Sequence, residues 1–272
     1  MMAALEIGRV LDNRQVARDK YVMDIAAPAT ARQCQPGQFL HIRITDTYDP
    51  LLRRPLSVYD VLFDSGIISL LYRVVGQGTS LLAKAAVDEA VDIMGPLGQG
   101  FTLPSENESI ILVGGGVGVA PLLYLARLSR VRQCRVRLLL GAAGGAQLGA
   151  ASRFEKLGVE VKTACLDGSA GYHGVVTDLL EHEDAGDYSR LYTCGPAPMM
   201  AVVSSWAQAH GLWGELSLEE HMACGVGACL GCACQLKAFE PGYAKVCTDG
   251  PVFNIQAVEL SPDQARKEGH NE

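Results

Sequence analysis

The hydrophobic pattern changes twice along the chain and divides it into three stretches. In residues 4–103, short β-rich runs alternate with turn residues, as at residues 39–44 and 66–75. Short strands at this density predict an antiparallel barrel. Its one predicted helix covers residues 79–86, where leucine and alanine recur at helical spacing.

After residue 104 the pattern becomes that of a parallel sheet. Residues 109–113 form a continuous apolar run, a glycine turn follows, and residues 122–132 have helical periodicity before a second apolar run at 136–140. Strand, helix and strand in this order are the unit of a parallel α/β sheet. We predict further units at residues 159–162, 175–180 and 190–193, the last before a helix at 198–209.

From about residue 215 the chain loses both patterns and consists of a cysteine-rich loop and a polar tail. We expect the polar residues 261–272 to be frayed. The sequence therefore predicts a multidomain β and α/β protein. Its parts are an antiparallel barrel in residues 1–104, a parallel-sheet α/β domain in 105–214, and a small cysteine-bearing domain with the tail in 215–272.

Composition agrees with several folded domains and argues against two kinds of partner. The chain has 272 residues, of which 49% are hydrophobic, enough for two domains and a small third. Its net charge of −7 is spread along the chain without a block of Lys and Arg, so nucleic acid is not expected. No apolar run approaches the ~20 residues of a membrane span, and the first residues lack the features of a signal peptide. We expect a cytoplasmic protein without a membrane partner.

The cysteines carry the strongest chemical signal. Cys224, Cys229 and Cys232 are followed by Cys247, and this C-x4-C-x2-C…C spacing is that of a plant-type [2Fe–2S] cluster. Glycines between them permit the backbone bends that a loop around a cluster needs. The alternative is structural zinc, whose usual signature is two C-x2–4-C pairs; only Cys229 and Cys232 form such a pair with a clean spacing.

The turn after the first apolar run of the α/β stretch has the context of a nucleotide site. It contains Gly114, Gly115, Gly116 and Gly118, follows a predicted buried strand and opens a predicted helix. Glycines let a pyrophosphate approach the backbone, and the helix start supplies free N–H groups. The strict G-x-G-x-x-G pattern is not met, and a tight turn without ligand is the alternative. No arginine follows in residues 141–145 to receive a 2′-phosphate, which favours NAD(H) over NADP(H).

A second strand-to-helix turn contains Cys194, Gly195 and Pro196. The strand order of such sheets places this turn near the glycine turn, so we expect both to face one crevice. A thiol beside a nicotinamide and a small residue packed under the turn explain Cys194 about equally well.

Two neighbouring runs of the barrel combine cations with polar and aromatic groups. Arg54 and Ser57 lie on one run, Tyr72 and Arg73 lie on the next, and a glycine turn at residues 76–80 opens the short helix. Taken singly, each arginine is more often a solvated strand residue. Together they indicate a site for a diphosphate and the polar edge of a ring.

The order of these motifs resembles that of a known superfamily. R-P-x-S and G-x-G-T in the barrel, then G-G-G-x-G-x-A-P and C-G-P-x-x-M, resemble the ferredoxin reductase superfamily of FAD enzymes. With the loop C-G-V-G-A-C-L-G-C and the run V-C-T-D-G-P-V-F, the chain resembles, over nearly its whole length, the electron-transfer subunits of class B, NAD-linked dihydroorotate dehydrogenases. The resemblance implies four cluster ligands, Cys224, Cys229, Cys232 and Cys247, with Cys234 as a packed thiol beside them. It implies FAD contacts from Arg54, Pro55, Leu56, Ser57, Leu71, Tyr72, Arg73, Gly78 and Thr79.

The same resemblance implies a function. The chain would pass electrons between NAD+ and an FMN-containing catalytic subunit that oxidises dihydroorotate to orotate in pyrimidine biosynthesis. FAD is needed between NAD(H) and the cluster, because a hydride carries two electrons and the cluster accepts one at a time. The chain itself needs no catalytic acid or base. It would act on dihydroorotate only with its partner, in a heterotetramer of two copies of each subunit.

Two other functions stay open on the sequence. The first is an NAD(P)H reductase subunit of another redox complex, such as a hydrogenase, a sulfite reductase or a ferredoxin-linked transhydrogenase. The second is a non-catalytic zinc-binding or redox-sensing module, which would be colourless and free of flavin.

Overall fold

A computed structural model describes residues 4–43, 45, 47–237 and 242–260. Its first part is a closed barrel of antiparallel strand pairs in the order β1-β2-β5-β4-β3-β6, as predicted. Alternate side chains such as Met23, Ile42 and Leu70 are fully buried in its core. The strands are β1 (Ala4–Ala17), β2 (Lys20–Ala26), β3 (Phe39–Arg43), β4 (Arg54–Leu62), β5 (Ile67–Arg73) and β6 (Ala90–Leu97).

Two short helices belong to the barrel, α1 (Pro28–Ala31) and α2 (Gln77–Leu82). The sequence predicted this second helix at residues 79–86, but α2 begins two residues earlier and ends four residues earlier. Its start is fixed by Thr79, whose Oγ1 accepts hydrogen bonds from the N–H groups of Val75 at 2.9 Å and Gly76 at 3.3 Å. A side chain inside the expected helix therefore closes the turn in front of it.

The second part is a parallel sheet covered by helices. Its strands follow the order β10-β9-β8-β7-β11-β12, and each neighbouring pair is parallel. The helices α3 (Ala120–Val131) and α5 (Ala197–Ala209) lie where predicted to within two residues, and α4 (Ala151–Glu155) is short. The strands are β7 (Ser109–Gly115), β8 (Arg135–Ala142), β9 (Glu160–Cys165), β10 (Tyr172–His173), β11 (Arg190–Cys194) and β12 (Trp213–Ser217).

The segment predicted as a further unit at 175–180 adds no strand, because it forms the 3₁₀ helix Val176–His182. The Asp178 carboxylate accepts a hydrogen bond from the N–H of Val175 at 3.0 Å and closes the first turn. Val176, Leu179 and Leu180 are buried. These three residues stand at i, i+3 and i+4, which is helical spacing. The spacing is short and overlaps an apolar run, so the sequence did not distinguish it from a strand.

The cysteine-bearing part is joined to the sheet through its last strand. Its strands are β13 (Ala233–Gln235), β14 (Tyr243–Lys245) and β15 (Val252–Asn254). β13 and β14 pair with each other, whereas β15 pairs antiparallel with β12 and becomes the edge of the seven-stranded sheet. β12 itself was not predicted, and it crosses the expected boundary between residues 214 and 215.

α3 lies between the sheet and the barrel. Leu122, Leu123 and Leu125 are buried there. On the barrel side, Arg127 donates two hydrogen bonds to the fully buried Asp60 of β4, at 2.7 and 2.6 Å. Apolar packing and a buried ion pair therefore fix the two parts against each other.

Within the residues that the structure describes, no helix is both long and apolar enough to cross a membrane. The tail that we expect to be frayed, 261–272, lies outside the described residues.

Candidate cofactor site

Backbone N–H groups and sulfur atoms meet in the cysteine-bearing part. The N–H of Gly227 donates to Cys247 Sγ at 3.2 Å, and the N–H of Cys229 donates to Cys224 Sγ at 3.4 Å. The N–H of Cys247 lies 3.5 Å from Cys232 Sγ. The fold therefore brings the loop and the distant fourth cysteine to one place, with amide donors directed at sulfur.

The local electrostatics suit a cluster of thiolate ligands. Hydrogen bonds from backbone N–H groups, that of Val226 first, lower the pKa of Cys224 to about 6. Burial raises the pKa of Cys247 to about 12, and the neighbouring Cys232 and Cys224 add to the rise. Crowded, partly buried thiolates of this kind need a metal's positive charge to stay deprotonated together.

The described residues contain no group of three or more His, Cys, Asp or Glu side chains arranged around a single metal ion. Backbone hydrogen bonds to sulfur join Cys229 with Cys224 and Cys247 with Cys232.

A cavity of about 740 Å³ lies beside this loop. Eight of the nine residues predicted to contact FAD line it, namely Arg54, Pro55, Leu56, Ser57, Leu71, Tyr72, Arg73 and Thr79. The ninth, Gly78, lies under the Arg54 side chain, and a Cβ added there would collide with the guanidinium group. We call this space the flavin cavity, after the ligand that the sequence resemblance predicts for these residues.

The flavin cavity has a wall that the sequence did not predict. The segment 218–223, between β12 and the first cysteine, lines it together with Gly231 and Pro251. Gly231 stands between Cys229 and Cys232 in the chain. The loop of cysteines and the flavin cavity are therefore direct neighbours.

The two turns at the carboxyl edge of the sheet touch each other, as predicted. Gly114 of β7 pairs with Cys194 of β11. A Cβ added at Gly118 would lie 2.6 Å from the Cα of Gly195, and one added at Gly115 would lie 2.7 Å from Pro196 Cδ. Cys194 is buried, which favours the packed thiol among its two interpretations.

Gly116 differs from the other glycines of its turn. Its φ is +59°, and a Cβ added there would meet no atom within 4 Å. The backbone at this point is therefore open to a ligand, whereas Gly115 and Gly118 serve the contact between the turns.

Known proteins share both the fold and the sequence. The barrel, the parallel sheet and the cysteine segment define a ferredoxin reductase-like electron-transfer protein. A sequence family described as the iron-sulfur cluster binding domain of dihydroorotate dehydrogenase B matches residues 219–259. Because relatives that are 40% identical over 90% or more of its length are electron transfer subunits of this enzyme, the chain belongs to the family of dihydroorotate dehydrogenase B electron transfer subunits.

Similar proteins from two bacteria carry that assignment. Each is a dihydroorotate dehydrogenase B (NAD(+)) electron transfer subunit. The one from Desulforamulus reducens is 40% identical over 90% of this chain and 94% of its own length. The one from Shouchella clausii is 40% identical over 92% and 96%. Among solved structures, a chain of the NADH-dependent reduced ferredoxin-NADP oxidoreductase superposes with a TM-score of 0.82, at 26% identity and 97% coverage of both chains.

Proposed function

We propose that this chain carries electrons between NAD(H) and a catalytic subunit that oxidises dihydroorotate to orotate, through bound FAD and a [2Fe–2S] cluster. One observation supports this most strongly. The flavin cavity shares Gly231 with the cysteine loop, so a flavin and a cluster held there would be neighbours. Electron transfer between them then needs no large movement of the protein.

The proposed cluster ligands are Cys224, Cys229, Cys232 and Cys247. The amide donors on their sulfur atoms support this set, since such hydrogen bonds help to stabilise a cluster and to set its potential. Cys234 is buried on β13 and is proposed to pack beside the site without ligating.

The proposed flavin contacts are the residues lining the flavin cavity, with Gly78 beneath them. Arg54 would bind the diphosphate, together with the exposed backbone at Gly76, where an added Cβ would meet nothing within 4 Å. Ser57 would bind the polar edge of the ring. The segment 218–223 lines the cavity on the cluster side.

When bound, FAD accepts a hydride from NADH as a pair of electrons and the cluster passes electrons singly. The chain's residues orient these groups and exclude water, and none of them needs to act as an acid or base. Pyridine nucleotide would bind at the touching turns of the sheet, with its phosphates near Gly114, Gly115, Gly116 and Gly118 and its nicotinamide near Cys194, Gly195 and Pro196.

We also propose that each of the three parts of the chain binds one redox group. We place the barrel for FAD in 1–104 and the cluster domain at the end of the chain. The second boundary moves from 214 to 217, since β12 continues the nucleotide-binding sheet as far as Ser217.

The proposed partner is an FMN-containing catalytic subunit in a heterotetramer of two copies of each chain. Val226 and Leu230 of the cysteine loop are 48% and 63% exposed, and Cys229 between them is also exposed. Apolar side chains next to a cluster give a partner a surface on which electrons can leave over a short distance.

An absorbance spectrum of anaerobically purified protein, before and after NADH, tests the proposal. We expect flavin and cluster bands that both bleach, and a rhombic one-electron EPR signal at low temperature. Flavin that bleaches without any cluster signal in fully metallated protein would refute the cluster assignment. A colourless protein containing zinc would refute the whole path.

The likeness to the NADH-dependent ferredoxin-NADP oxidoreductase chain supports one second candidate, a reductase subunit of such a complex. Co-purification separates the two. An FMN protein that oxidises dihydroorotate in the isolated complex supports the first function, and its replacement by another redox enzyme supports the second.

A further inference from the structure

A second cavity, of about 180 Å³, lies between the barrel and the sheet. Arg14 and Lys20 reach it from the β1–β2 hairpin, and Arg153 reaches it from α4. We call it the basic cavity. The sequence motifs for nucleotide binding do not include any of these three cations.

Among the described residues, Lys20 has no carboxylate partner in the basic cavity, whereas Arg14 is paired with Asp12 and Asp24. Lys20 is only 7% exposed, and its Nζ donates to the backbone carbonyl of Gln147 at 3.2 Å. No carboxylate lies within 4 Å of Lys20 among the described residues. Burial lowers the pKa of Lys20, and the nearby Arg73 lowers it further. A buried ammonium group beside another cation is stabilised by an anion.

Arg153 has an unsatisfied donor in the same place. Its Nη1 is buried and has no hydrogen-bond partner among the described residues. Its Nη2 lies 3.5 Å from Asp60, a carboxylate that already receives two hydrogen bonds from Arg127. The guanidinium group is held over the ring of Tyr59, with 4.9 Å between Cζ and the ring centroid. Its orientation is therefore fixed while one donor remains available.

The position of the basic cavity connects it with the nucleotide turn. Gly116, the one open glycine of that turn, is part of its wall. Leu71 lines both the basic cavity and the flavin cavity, so the two spaces adjoin. A nucleotide bound along the turn at Gly116 could therefore present a phosphate group to these cations. The volume is well above the ~30 Å³ that one water occupies in the liquid, so the cavity admits a phosphate group.

We propose that the basic cavity binds a phosphate group of the pyridine dinucleotide, with Lys20 and Arg153 as its ligands. This inference rests on the proposed function and adds to it two charged contacts, Lys20 from the barrel and Arg153 from α4 of the sheet part. The Gly- and Ala-rich loop after β8 has no cation of its own at residues 142–151, and Lys20 reaches this loop from β2. Lys20 thus places a cation beside a loop that has none.

Steady-state kinetics of the flavin- and cluster-loaded protein, with ferricyanide as acceptor, test the proposal. We expect Lys20→Met and Arg153→Met each to raise the KM for NADH about tenfold or more while kcat changes less than twofold, the loss typical of a charge-assisted hydrogen bond. Lys20→Arg should retain most of the affinity. Lys156→Met, an exposed position just beyond α4, is the matched control and should change nothing.

Two probes separate the possible phosphates. If the diphosphate binds there, KM rises equally for NADH and NADPH, and inorganic pyrophosphate competes with NADH in the unmodified protein only. If a 2′-phosphate binds there, only the KM for NADPH rises, and 2′-AMP is the competitor. Unchanged KM values for both nucleotides in both Met variants would overturn the proposal, even if inorganic phosphate binds.

Misfolding and failure of the proposed function give different results. Flavin absorbance and the thermal midpoint show whether a variant is folded, and Lys20→Arg keeps the charge if Lys20→Met does not fold. If neither nucleotide reduces the flavin of the unmodified protein, the proposed function is wrong. Calorimetry with pyrophosphate still reports on the basic cavity in that case, and equal binding to unmodified and Lys20→Met protein would overturn the phosphate site itself.

Discussion

The ring of His41 packs directly against Gly225, so that a Cβ added to Gly225 would lie 2.6 Å from His41 Nδ1. His41 belongs to β3 of the barrel, and Gly225 follows the first cysteine of the loop. His41 is fully buried, and neither ring nitrogen has a hydrogen-bond partner among the described residues. Burial, with Arg53 and Arg54 nearby, lowers the pKa of His41 to about 4, so the ring is neutral at pH 7.

This contact makes Gly225→Ala a test of how tightly the barrel supports the cluster loop. The methyl group would collide with the ring, and the φ of +68° at Gly225 adds a cost of about 1–2 kcal/mol for any L residue. We expect iron per chain to fall below half while FAD stays bound. Iron and flavin analysis of the same preparation measures both.

The double variant His41→Ala/Gly225→Ala is the matched control, because it removes the collision and leaves the backbone cost. It should hold more iron than Gly225→Ala alone. Full iron content in Gly225→Ala would show that the loop does not depend on this close packing.

The cysteine loop was predictable from the sequence because its chemistry is local. Three of the proposed ligands lie within nine residues, and their spacing alone indicates a cluster. The glycine turn was recognisable for the same reason, since its strand and helix are its neighbours in the chain. Such signals do not depend on the rest of the fold.

Contacts between segments that are distant in the chain could not be predicted from local sequence patterns. His41 lies between the apolar residues Leu40 and Ile42 of β3, and the sequence does not indicate its contact with Gly225. Lys20 follows the β1–β2 turn, and the sequence does not indicate its contact with Gln147. The pairing of β15 with β12 joins segments that the expected domain boundary separates. Each depends on tertiary packing, which local pattern does not encode.

Substitution of the cysteines separates ligands from packed thiols. We expect Cys247→Ala to abolish the cluster and Cys234→Ala to retain it, although both positions are buried. Cys247 accepts a backbone hydrogen bond from the loop at Gly227, whereas Cys234 lies in the β13–β14 ladder opposite Ala244. Iron content and the visible spectrum distinguish the variants. If the cluster survives Cys247→Ala but not Cys234→Ala, Cys234 is the ligand and Cys247 is the packed thiol.

Removal of the Arg54 side-chain charge tests the flavin cavity without touching the cysteines. Arg54→Met should weaken FAD binding about 10- to 100-fold, the range of one or two charge-assisted hydrogen bonds to a phosphate. Fluorescence titration of flavin-depleted protein with FAD measures the change. Arg43→Met, an exposed arginine on neighbouring β3, is the control. Equal affinity of Arg54→Met and unmodified protein would mean that the diphosphate binds elsewhere.

The ion pair between Asp60 and Arg127 should be the most sensitive electrostatic contact between barrel and sheet. Asp60 is fully buried, and it faces Arg153 as well as Arg127. Asp60→Asn removes the one negative charge among two guanidinium groups, which we expect to cost about 3 kcal/mol. For a chain of this size the thermal midpoint should then fall by about 6 °C or more. Arg127→Met should cost less, because that side chain is partly exposed and its loss leaves Asp60 with Arg153.

In the double variant, a coupling above about 0.5 kcal/mol would show that the two residues act as a pair. A midpoint unchanged in Asp60→Asn would mean that apolar packing around α3 holds the barrel and sheet together without this charge.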